Sequence, residues 1–417
     1  MAEAAPELLT TADGRPLKAA LAAAQARSRR RAFLLVVPLL VFVLFTFLIP
    51  IGYMLKRSFE HDGFAANAPA MVAWFAENPG FDPANPPETA YAALVQDLAK
   101  MQVDKTTGMV GTRINYTVPG TISLFKAGAR AAKDLAPPYR EALLALDAEW
   151  GKPVLWRGMQ DAASKYTADF YYVAADRKLT DEGWAKGGDK ERIYLYLFFK
   201  TFLVSALITF ICLLLAFPVS HLLATLPMGK SSLLMILVLL PFWTSLLVRT
   251  TAWIALLQEQ GIINGALVNL GLVSDDDRLS MMYNMTGTIV AMTHVLLPFM
   301  ILPLYSVMRV IPPSYARAAR SLGATSWTTF RRVYLPQTLP GIAAGSLLVF
   351  ILAVGYYITP ALVGGADGQL ISNLVSFHMS KSNWSLAAAL AAMLLVAILL
   401  LYWLYDRLIG IDRLKFG

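Results

Sequence analysis

Six long apolar segments alternate with polar stretches along this chain. They cover Phe33–Leu55, Leu195–Leu223, Ser232–Leu257, Thr286–Val310, Gly341–Val363 and Trp384–Leu404. Each is long enough to cross a bilayer as a helix, which takes about 20 residues. The pattern therefore predicts an all-α membrane protein with six transmembrane helices.

The distribution of Lys and Arg predicts the orientation of these helices. Arginines cluster before the first segment, between the fourth and fifth, and after the sixth. Because cytoplasmic loops carry an excess of Lys and Arg, both termini are predicted to be cytoplasmic. Lys56 and Arg57 run against this bias but are outnumbered. The predicted organisation is a basic tail over 1–31, helix 1 over 32–56, a core with helices 2–6 over 195–410, and a tail over 411–417.

A polar stretch, residues 57–194, separates the first two apolar segments. It holds eighteen of the twenty-eight acidic residues and sixteen Lys and Arg, and no run in it could span a membrane. Apolar residues recur at helical spacing in several places, for example from Tyr91 to Met101. Thr112–Leu124 alternates in places, which predicts a hairpin or an extended stretch, and Phe64–Pro87 is predicted to be irregular. We predict a mainly helical periplasmic insert.

Composition agrees with a membrane location and argues against nucleic-acid binding and an intrachain disulfide. The chain is 57% hydrophobic and 15% charged, whereas about a quarter of the residues in soluble domains are charged. The net charge of +8 follows from cytoplasmic Lys and Arg, and without a recognition motif we predict no nucleic-acid binding. The single cysteine, Cys212, excludes an intrachain disulfide.

Patterns typical of catalysis or metal binding are absent from the sequence. It contains no GxxxxGK[ST] phosphate loop, no HExxH and no CxxC, and its four histidines are scattered. We therefore predict no enzyme activity, no metal site and no cofactor bound by this chain. A process driven by ATP would need an ATPase on another chain.

The loop of residues 311–340 carries the functional signal. Two prolines end the helix before it. Caps at Ser314 and Ser326 predict two short helices, the first ending at Gly323 and the second at Pro336. The apolar and basic residues of the loop favour two interpretations about equally. One is a loop that lies at the lipid headgroups, and the other is a knob that docks in a groove of a soluble partner through Trp327, Phe330, Val333 and Tyr334.

The spacing in this loop resembles the EAA loop of ABC-importer permeases. The matching residues are Arg317-Ala318-Ala319, then Gly323 after three residues, then Val333-Tyr334-Leu335-Pro336 after nine more. The family pattern is EAA, three residues, Gly, nine residues and Ile-x-Leu-Pro. Arg317 therefore stands where the family usually has Glu, which leaves the contact of that glutamate open.

Other stretches resemble the spermidine/putrescine-type branch of these permeases. They are Pro241–Leu257, Gly261–Leu272, Leu296–Met308 and Ile358–Gly365. The resemblance covers the first helix and the chain from about Lys200 onward, but not residues 57–194. It implies a small polar solute, with a polyamine such as spermidine or putrescine expected first and opines, phosphonates or other small charged solutes as alternatives.

The resemblance also implies partners and an energy source. A permease of this kind lies in the bacterial inner membrane and pairs with a second, similar permease. A periplasmic binding protein delivers its solute, and a cytoplasmic ATPase dimer, which binds ATP and Mg²⁺, drives transport. The residues implied to couple to the ATPase are Arg317, Ala318, Ala319, Gly323, Trp327, Phe330, Leu335 and Pro336. Residues 57–194 are expected to touch the binding protein or cover the outer gate.

Six residues are candidates for lining the substrate path. They are Trp243, Arg249, Glu259, Tyr356, Tyr357 and Asp367. Arg249 is costly inside a span unless it faces the path, or pairs with Glu259 or headgroups near the end of the helix. The aromatic residues suit a cationic amine, but such residues more often serve packing or interfacial anchoring. No Asp or Glu lies deep in any apolar segment, so a polyamine would need an acid from the partner permease.

Two functions of other classes compete with this interpretation. A secondary transporter would be expected to show buried ion-coupling carboxylates and inverted repeats, and neither is visible in the sequence. A membrane-anchored sensor or scaffold would use the periplasmic insert and would not need an EAA-like loop.

Overall fold

The computed structural model describes residues 17–188 and 192–409. The chain divides into two units, Met1–Arg57 and Ser58–Gly417. Of the two predicted tails, the C-terminal one and the first sixteen residues of the N-terminal one lie outside the described residues.

The first unit contains one long apolar helix with a local widening. Helix α1 (Leu17–Val43) continues through a π-helical turn at Leu44–Leu48 into α2 (Ile49–Arg57). Pro50 explains the turn, because it has no N–H to donate and its ring crowds the carbonyl of Thr46. The part of this helix that qualifies as a membrane span, Ala24–Arg57, is 34 residues long, which is enough to cross a bilayer.

The second unit begins with a helical body that we call the insert, residues 58–188. Its elements are α3 (Pro69–Glu77), α4 (Glu88–Asp104), α5 (Thr107–Asn115), α6 (Thr121–Ala131), α7 (Tyr139–Leu146), α8 (Pro153–Ala163), α9 (Asp169–Ala174), a 3₁₀ turn (Ala148–Gly151) and the antiparallel strands β1 (Arg177–Thr180) and β2 (Gly183–Lys186). Trp150, Trp156 and Phe125 are fully buried at its centre. Packing is tight there, since a Cβ on Gly128 would lie 2.6 Å from the Trp150 ring.

Two local predictions for the insert are wrong. Thr112–Leu124 is neither a hairpin nor extended, but the junction of α5 and α6. Gly120 turns the chain there with φ +92°, and its N–H donates to the Asn115 side chain at 2.8 Å. This turn shifts the helical phase, so the apolar positions on its two sides imitate an alternating pattern. Phe64–Pro87, predicted to be irregular, contains α3.

The remaining helices of the described chain follow the insert. They are α10 (Tyr194–Thr225), α11 (Met228–Leu239), α12 (Leu246–Leu257), α13 (Ile262–Asn269), α14 (Met285–Val310), α15 (Pro313–Ser321), α16 (Ser326–Thr329), α17 (Leu335–Gly355), α18 (Ile358–Val363), α19 (Ile371–Ser380) and α20 (Trp384–Ile409). Over the described residues, five helices are long and apolar enough to cross a membrane, or six if one bent pair counts as a span. This agrees with an all-α membrane fold, while the count of six stays a prediction.

The third apolar segment, predicted as one span over Ser232–Leu257, is bent. The chain turns by 97° between α11 and α12. Pro241 lies in a 3₁₀ turn that ends α11, since proline cannot donate a helical hydrogen bond. Ser245 then caps α12 by accepting a hydrogen bond from the N–H of Val248 at 3.2 Å.

Helices α10, α14 and α17 pack together at the centre of the second unit. Ile208, Leu296 and Val349, one from each helix, are fully buried in a shared cluster. A Cβ on Gly345 would lie 2.8 Å from the Met300 sulfur, so α17 approaches α14 as closely as its glycine allows. Small residues at such contacts stabilise helix association in lipid, where apolar burial contributes little.

An apolar contact joins the insert to the membrane helices. Phe170 and Ala174 of α9 share a buried cluster with Phe198 of α10 and with Leu386 and Ala389 of α20. The insert is therefore packed directly on two candidate spans.

Polar contacts reinforce the same junction. The carboxylate of Asp176 accepts hydrogen bonds from the backbone N–H groups of Tyr194 (3.0 Å) and Leu195 (2.8 Å). These are donors of the first turn of α10, which have no partner inside the helix. Ser385, at the start of α20, donates to the Glu60 carbonyl at 3.2 Å. These contacts should therefore transmit movement of α10 or α20 to the insert.

A carboxyl group in the insert, Asp161 on α8, makes the stability of the protein depend on pH. Burial, and next the charge of Asp169, raise the pKa of Asp161 to about 6, against the opposing effects of Trp184 and Arg113. Because this pKa lies above the ordinary value of 3.8, the folded state binds the proton more tightly than the unfolded state. The free energy of unfolding should then fall as the pH rises from about 4 to about 6.

We expect Asp161→Asn to raise the unfolding temperature at neutral pH and to reduce this pH dependence, measured by tryptophan fluorescence. Asp134→Asn, at an exposed carboxyl group, is the matched control and should follow the wild type. Some slope will remain in the variant, because burial also raises the pKa of Asp97. An Asp161→Asn curve parallel to that of the wild type would contradict the prediction.

Candidate functional site

The loop between α14 and α17 consists of two helical pieces around a glycine. Pro312, rather than the predicted Ser314, occupies the N-cap position of α15. Gly323 has φ +85°, and the N–H of Ala324 beyond it donates to the carbonyl of Ala319 at 3.1 Å. The sharp turn thus needs the left-handed conformation that glycine adopts without steric cost.

The second helical piece is continuous with the membrane helix that follows. Thr325, not the predicted Ser326, caps α16 by accepting from the N–H of Thr328 at 3.2 Å. Pro336 does not end the helix as predicted, because a π-helical turn at Phe330–Tyr334 leads from α16 directly into α17. The wider turn accommodates the missing N–H and the ring of the proline. Ser326–Gly355 forms a single apolar helix of 30 residues.

An aromatic column connects this helix to α10. Trp327 stacks on Phe330 with ring centroids 5.7 Å apart, and Phe330 stacks on Tyr334 at 6.2 Å. Phe217 of α10 meets the Phe330 ring edge-on at 5.9 Å. A hydrogen bond of 2.9 Å links the Tyr334 hydroxyl to Nδ1 of His221, also on α10. Two of the predicted docking aromatics therefore pack inward, against a neighbouring helix.

The other predicted coupling residues differ in exposure. Arg317, Ala318, Gly323, Trp327 and Pro336 are exposed, whereas Ala319, Phe330 and Leu335 are half-buried. Trp327 is 67% exposed and forms the accessible tip of the aromatic column. Leu322, which the sequence reasoning missed, is 89% exposed. Its position directly before the helix-ending glycine was the available signal.

A polar cluster within the apolar core includes the predicted path residue Arg249. Arg249 is half-buried, and its Nε is buried without a hydrogen-bond partner among the described residues. Its charge acts on His294 and Tyr356. His294 accepts a hydrogen bond through Nδ1 from the Trp253 indole at 3.1 Å. Of the predicted path residues, Arg249 and Tyr356 thus lie near enough for the charge of the arginine to act on the tyrosine.

The remaining predicted path residues do not join this cluster. Trp243 is 72% exposed and Tyr357 is 44% exposed. The alternative pairing of Arg249 with Glu259 is not found among the ion pairs of the described residues. Asp367 instead pairs with Lys200, with Nζ and Oδ1 3.5 Å apart. Lys200 and Asp367 are 167 positions apart, so no local pattern could reveal this pair.

Known proteins match the part of the chain that contains the loop of residues 311–340 and the predicted path residues. Residues 192–409 match the family model described as the binding-protein-dependent transport system inner membrane component. The insert, which ends before residue 192, lies outside the match.

Individual relatives match over a similar length. The spermidine/putrescine transport system permease protein PotB of Haemophilus influenzae is 36% identical over 216 residues, which are 52% of this chain and 75% of that protein. PotB of Escherichia coli K12 is 34% identical over 222 residues, 52% of this chain and 80% of that protein. The inner membrane ABC transporter permease protein YdcU of Escherichia coli K12 is 34% identical over 229 residues, 52% and 72% of the two chains. Among solved structures, a bacterial ABC transporter involved in the import of the acidic polysaccharide alginate has a TM-score of 0.43 at 18% identity, over 69% of this chain and 100% of that chain.

Proposed function

Because this chain belongs to the family of binding-protein-dependent transport system inner membrane components, we propose that it is the permease of an importer driven by ATP hydrolysis on a separate chain. It is a multi-pass protein of the bacterial inner membrane and a transport component rather than an enzyme. This membership argues against a sensor or scaffold, and the EAA-like spacing argues against ion-driven transport. The observation that carries the proposal is the loop around Gly323, whose second half is continuous with α17.

In the proposed topology, six spans place both termini and the loop of residues 311–340 in the cytoplasm and the insert in the periplasm. Arg309, Arg317, Arg320, Arg331 and Arg332 lie in or beside the loop. Their number supports a cytoplasmic loop by the positive-inside rule. A periplasmic insert packed on α10 and α20 is well placed to receive a binding protein or to cover the outer gate.

The loop transmits movement as a rigid element in this mechanism. An ATPase dimer that holds ATP and Mg²⁺ closes beneath the loop and displaces its exposed residues Trp327 and Leu322. Since α16 and α17 form one continuous helix, the displacement passes directly into the core. The hydrogen bond between Tyr334 and His221 passes it to α10 as well. Gly323 sets the angle at which α15 meets this helix.

For the substrate we propose a polyamine, because the relatives named PotB are spermidine/putrescine permeases. The sequence has no Asp or Glu over residues 193–258 or 279–366. A second, different permease must then supply the acid for a cation, in a heterodimer. This chain would contribute the surface around Arg249 and Tyr356, with the arginine near a gate rather than on the amine.

The test is co-purification of this chain with its partner permease and an ATPase that has a phosphate loop, followed by ATP-dependent uptake of labelled spermidine in vesicles with the binding protein. We expect a stable complex and uptake that needs ATP. Replacing residues 313–325 by a Gly/Ser linker of equal length should remove the ATPase from the complex. A complex that forms equally well with the linker would overturn the coupling role. Uptake of other solutes but not of polyamines would overturn the substrate alone.

A further inference from the structure

An arginine-lined cavity lies between α15, the adjoining ends of α10 and α14, and the start of α17 with the π-helical turn before it. Its volume is about 540 Å³, and its lining includes Arg309, Arg317 and Arg320 but no carboxylate. We call it the arginine cavity. Residues 279–366, which supply most of its walls, contain no Asp or Glu at all. Three positive charges thus face one space without an acidic neighbour.

The three arginines differ in how firmly they are held. Arg309 donates through Nη1 to the carbonyls of Ala224 (2.8 Å) and Leu226 (3.1 Å) at the C-terminal end of α10. Arg317 and Arg320 are exposed and take part in no ion pair among the described residues. One hydrogen-bonded and two exposed guanidinium groups suit an anion, since a guanidinium matches two oxygens of a phosphate or carboxylate group.

An apolar groove continues from the arginine cavity toward the membrane part of α14. It has a volume of about 350 Å³ and is lined by Val307, Val310 and Tyr315 among others. Ile311 and Pro312 line both spaces. Val310 is 78% exposed at the end of this candidate span. The groove therefore offers an unpartnered apolar surface directly beside the cationic one.

We propose that the arginine cavity and this groove together bind one anionic phospholipid. Its headgroup phosphate lies against Arg317 and Arg320, and one acyl chain lies along Val307 and Val310. The juxtaposition favours a lipid over a free phosphate, which would leave the groove unused, and over a protein carboxylate, which does not need an apolar extension. Basic pockets at the ends of membrane helices suit anionic headgroups for the same electrostatic reason. The proposal requires only that α14 crosses a bilayer, and not that an ATPase binds the loop.

The test compares lipid retention by the full chain purified alone, with native mass spectrometry after exposure to phosphatidylglycerol or phosphatidylcholine. The wild type should retain phosphatidylglycerol preferentially. Arg317→Gln with Arg320→Gln should reduce that retention by roughly thirtyfold, given the contribution of each basic residue near an anionic surface. Arg331→Gln with Arg332→Gln removes two charges from the same loop outside the cavity and should leave retention unchanged.

The other outcomes overturn the proposal. Equal losses in the two double variants would indicate a general surface charge and no site. Displacement of the lipid by millimolar inorganic phosphate would show that a free anion is sufficient. If Arg317→Gln with Arg320→Gln kept the lipid but released a co-expressed ATPase, the cavity would be a docking site for acidic residues of that partner.

Discussion

Replacing Asp169 by alanine is expected to destabilise the insert by about 3–5 kcal/mol, because it leaves a buried guanidinium without its counter-ion. Arg113 is 0% exposed, and its Nη2 lies 2.7 Å from Oδ2 of Asp169. Its Nε and Nη1 have no hydrogen-bond partner among the described residues. The remaining support comes from the face of Phe170, 5.1 Å from the guanidinium carbon, and from the charge of Asp161, which forms no ion pair with Arg113 among the described residues. Without the Asp169 carboxylate, the ion pair no longer offsets the free-energy cost of burying the Arg113 charge.

The consequence should extend to the junction with the membrane helices. Asp169 begins α9, and Phe170 on the same helix packs against Phe198 and Leu386. Loss of the ion pair should therefore loosen α9 and expose the insert to protease, while the apolar spans stay intact. Limited proteolysis in vesicles and tryptophan-detected thermal unfolding measure the two effects separately.

Two variants decide whether the unpaired charge is the cause. Asp134→Ala, at an exposed acid, should unfold like the wild type. Arg113→Met combined with Asp169→Leu removes both charges and keeps apolar volume, so it should recover most of the lost stability. A double variant as unstable as Asp169→Ala would show that packing or local hydrogen bonding, and not the charge, carries the effect.

Features that depend on local composition could be predicted from the sequence. A run of about 20 apolar residues is sufficient to identify a candidate span, and the described helices contain such runs. The turn at Gly323 is also local, because only the conformational freedom of glycine is needed to place it. The bend within the third segment was not predicted, although Pro241 lies inside the apolar run.

Features that depend on irregular backbone turns or on distant residues could not be predicted. Pro336 signals the end of a helix, but a π-helical turn just before it lets the helix continue. Tyr334 was expected to face a partner, yet its hydroxyl bonds to His221, which lies 113 positions earlier. The loop therefore has a smaller exposed knob and a stiffer connection to the core than its aromatic content indicates. The arginine cavity likewise depends on α10, α14, α15 and α17, which meet only in the folded chain.

Replacing Gly323 by valine is expected to weaken ATPase assembly and uptake by roughly 5–30-fold, because a left-handed conformation costs an ordinary residue about 1–2 kcal/mol. Gly323 has φ +85°, and nothing lies within 4 Å of the position of an added Cβ. The new side chain thus meets no obstacle, and backbone strain alone acts on the angle between α15 and α16. Assembly is measured by co-purification with the ATPase, and uptake in vesicles.

Two substitutions separate the bend from general strain. Gly323→Asn should retain most of the assembly, because asparagine tolerates the left-handed region far better than valine. Gly271 has φ +68° and equally open space around its Cβ position, but it lies outside the loop, so Gly271→Val should show the same strain with normal ATPase binding. If Gly323→Val assembles and transports like the wild type, the angle at this glycine is not what couples the two chains. If Gly271→Val loses ATPase assembly and uptake as Gly323→Val does, both losses arise from poorer folding of the whole chain. Gly271 lies outside the loop, so its substitution cannot change the angle between α15 and α16.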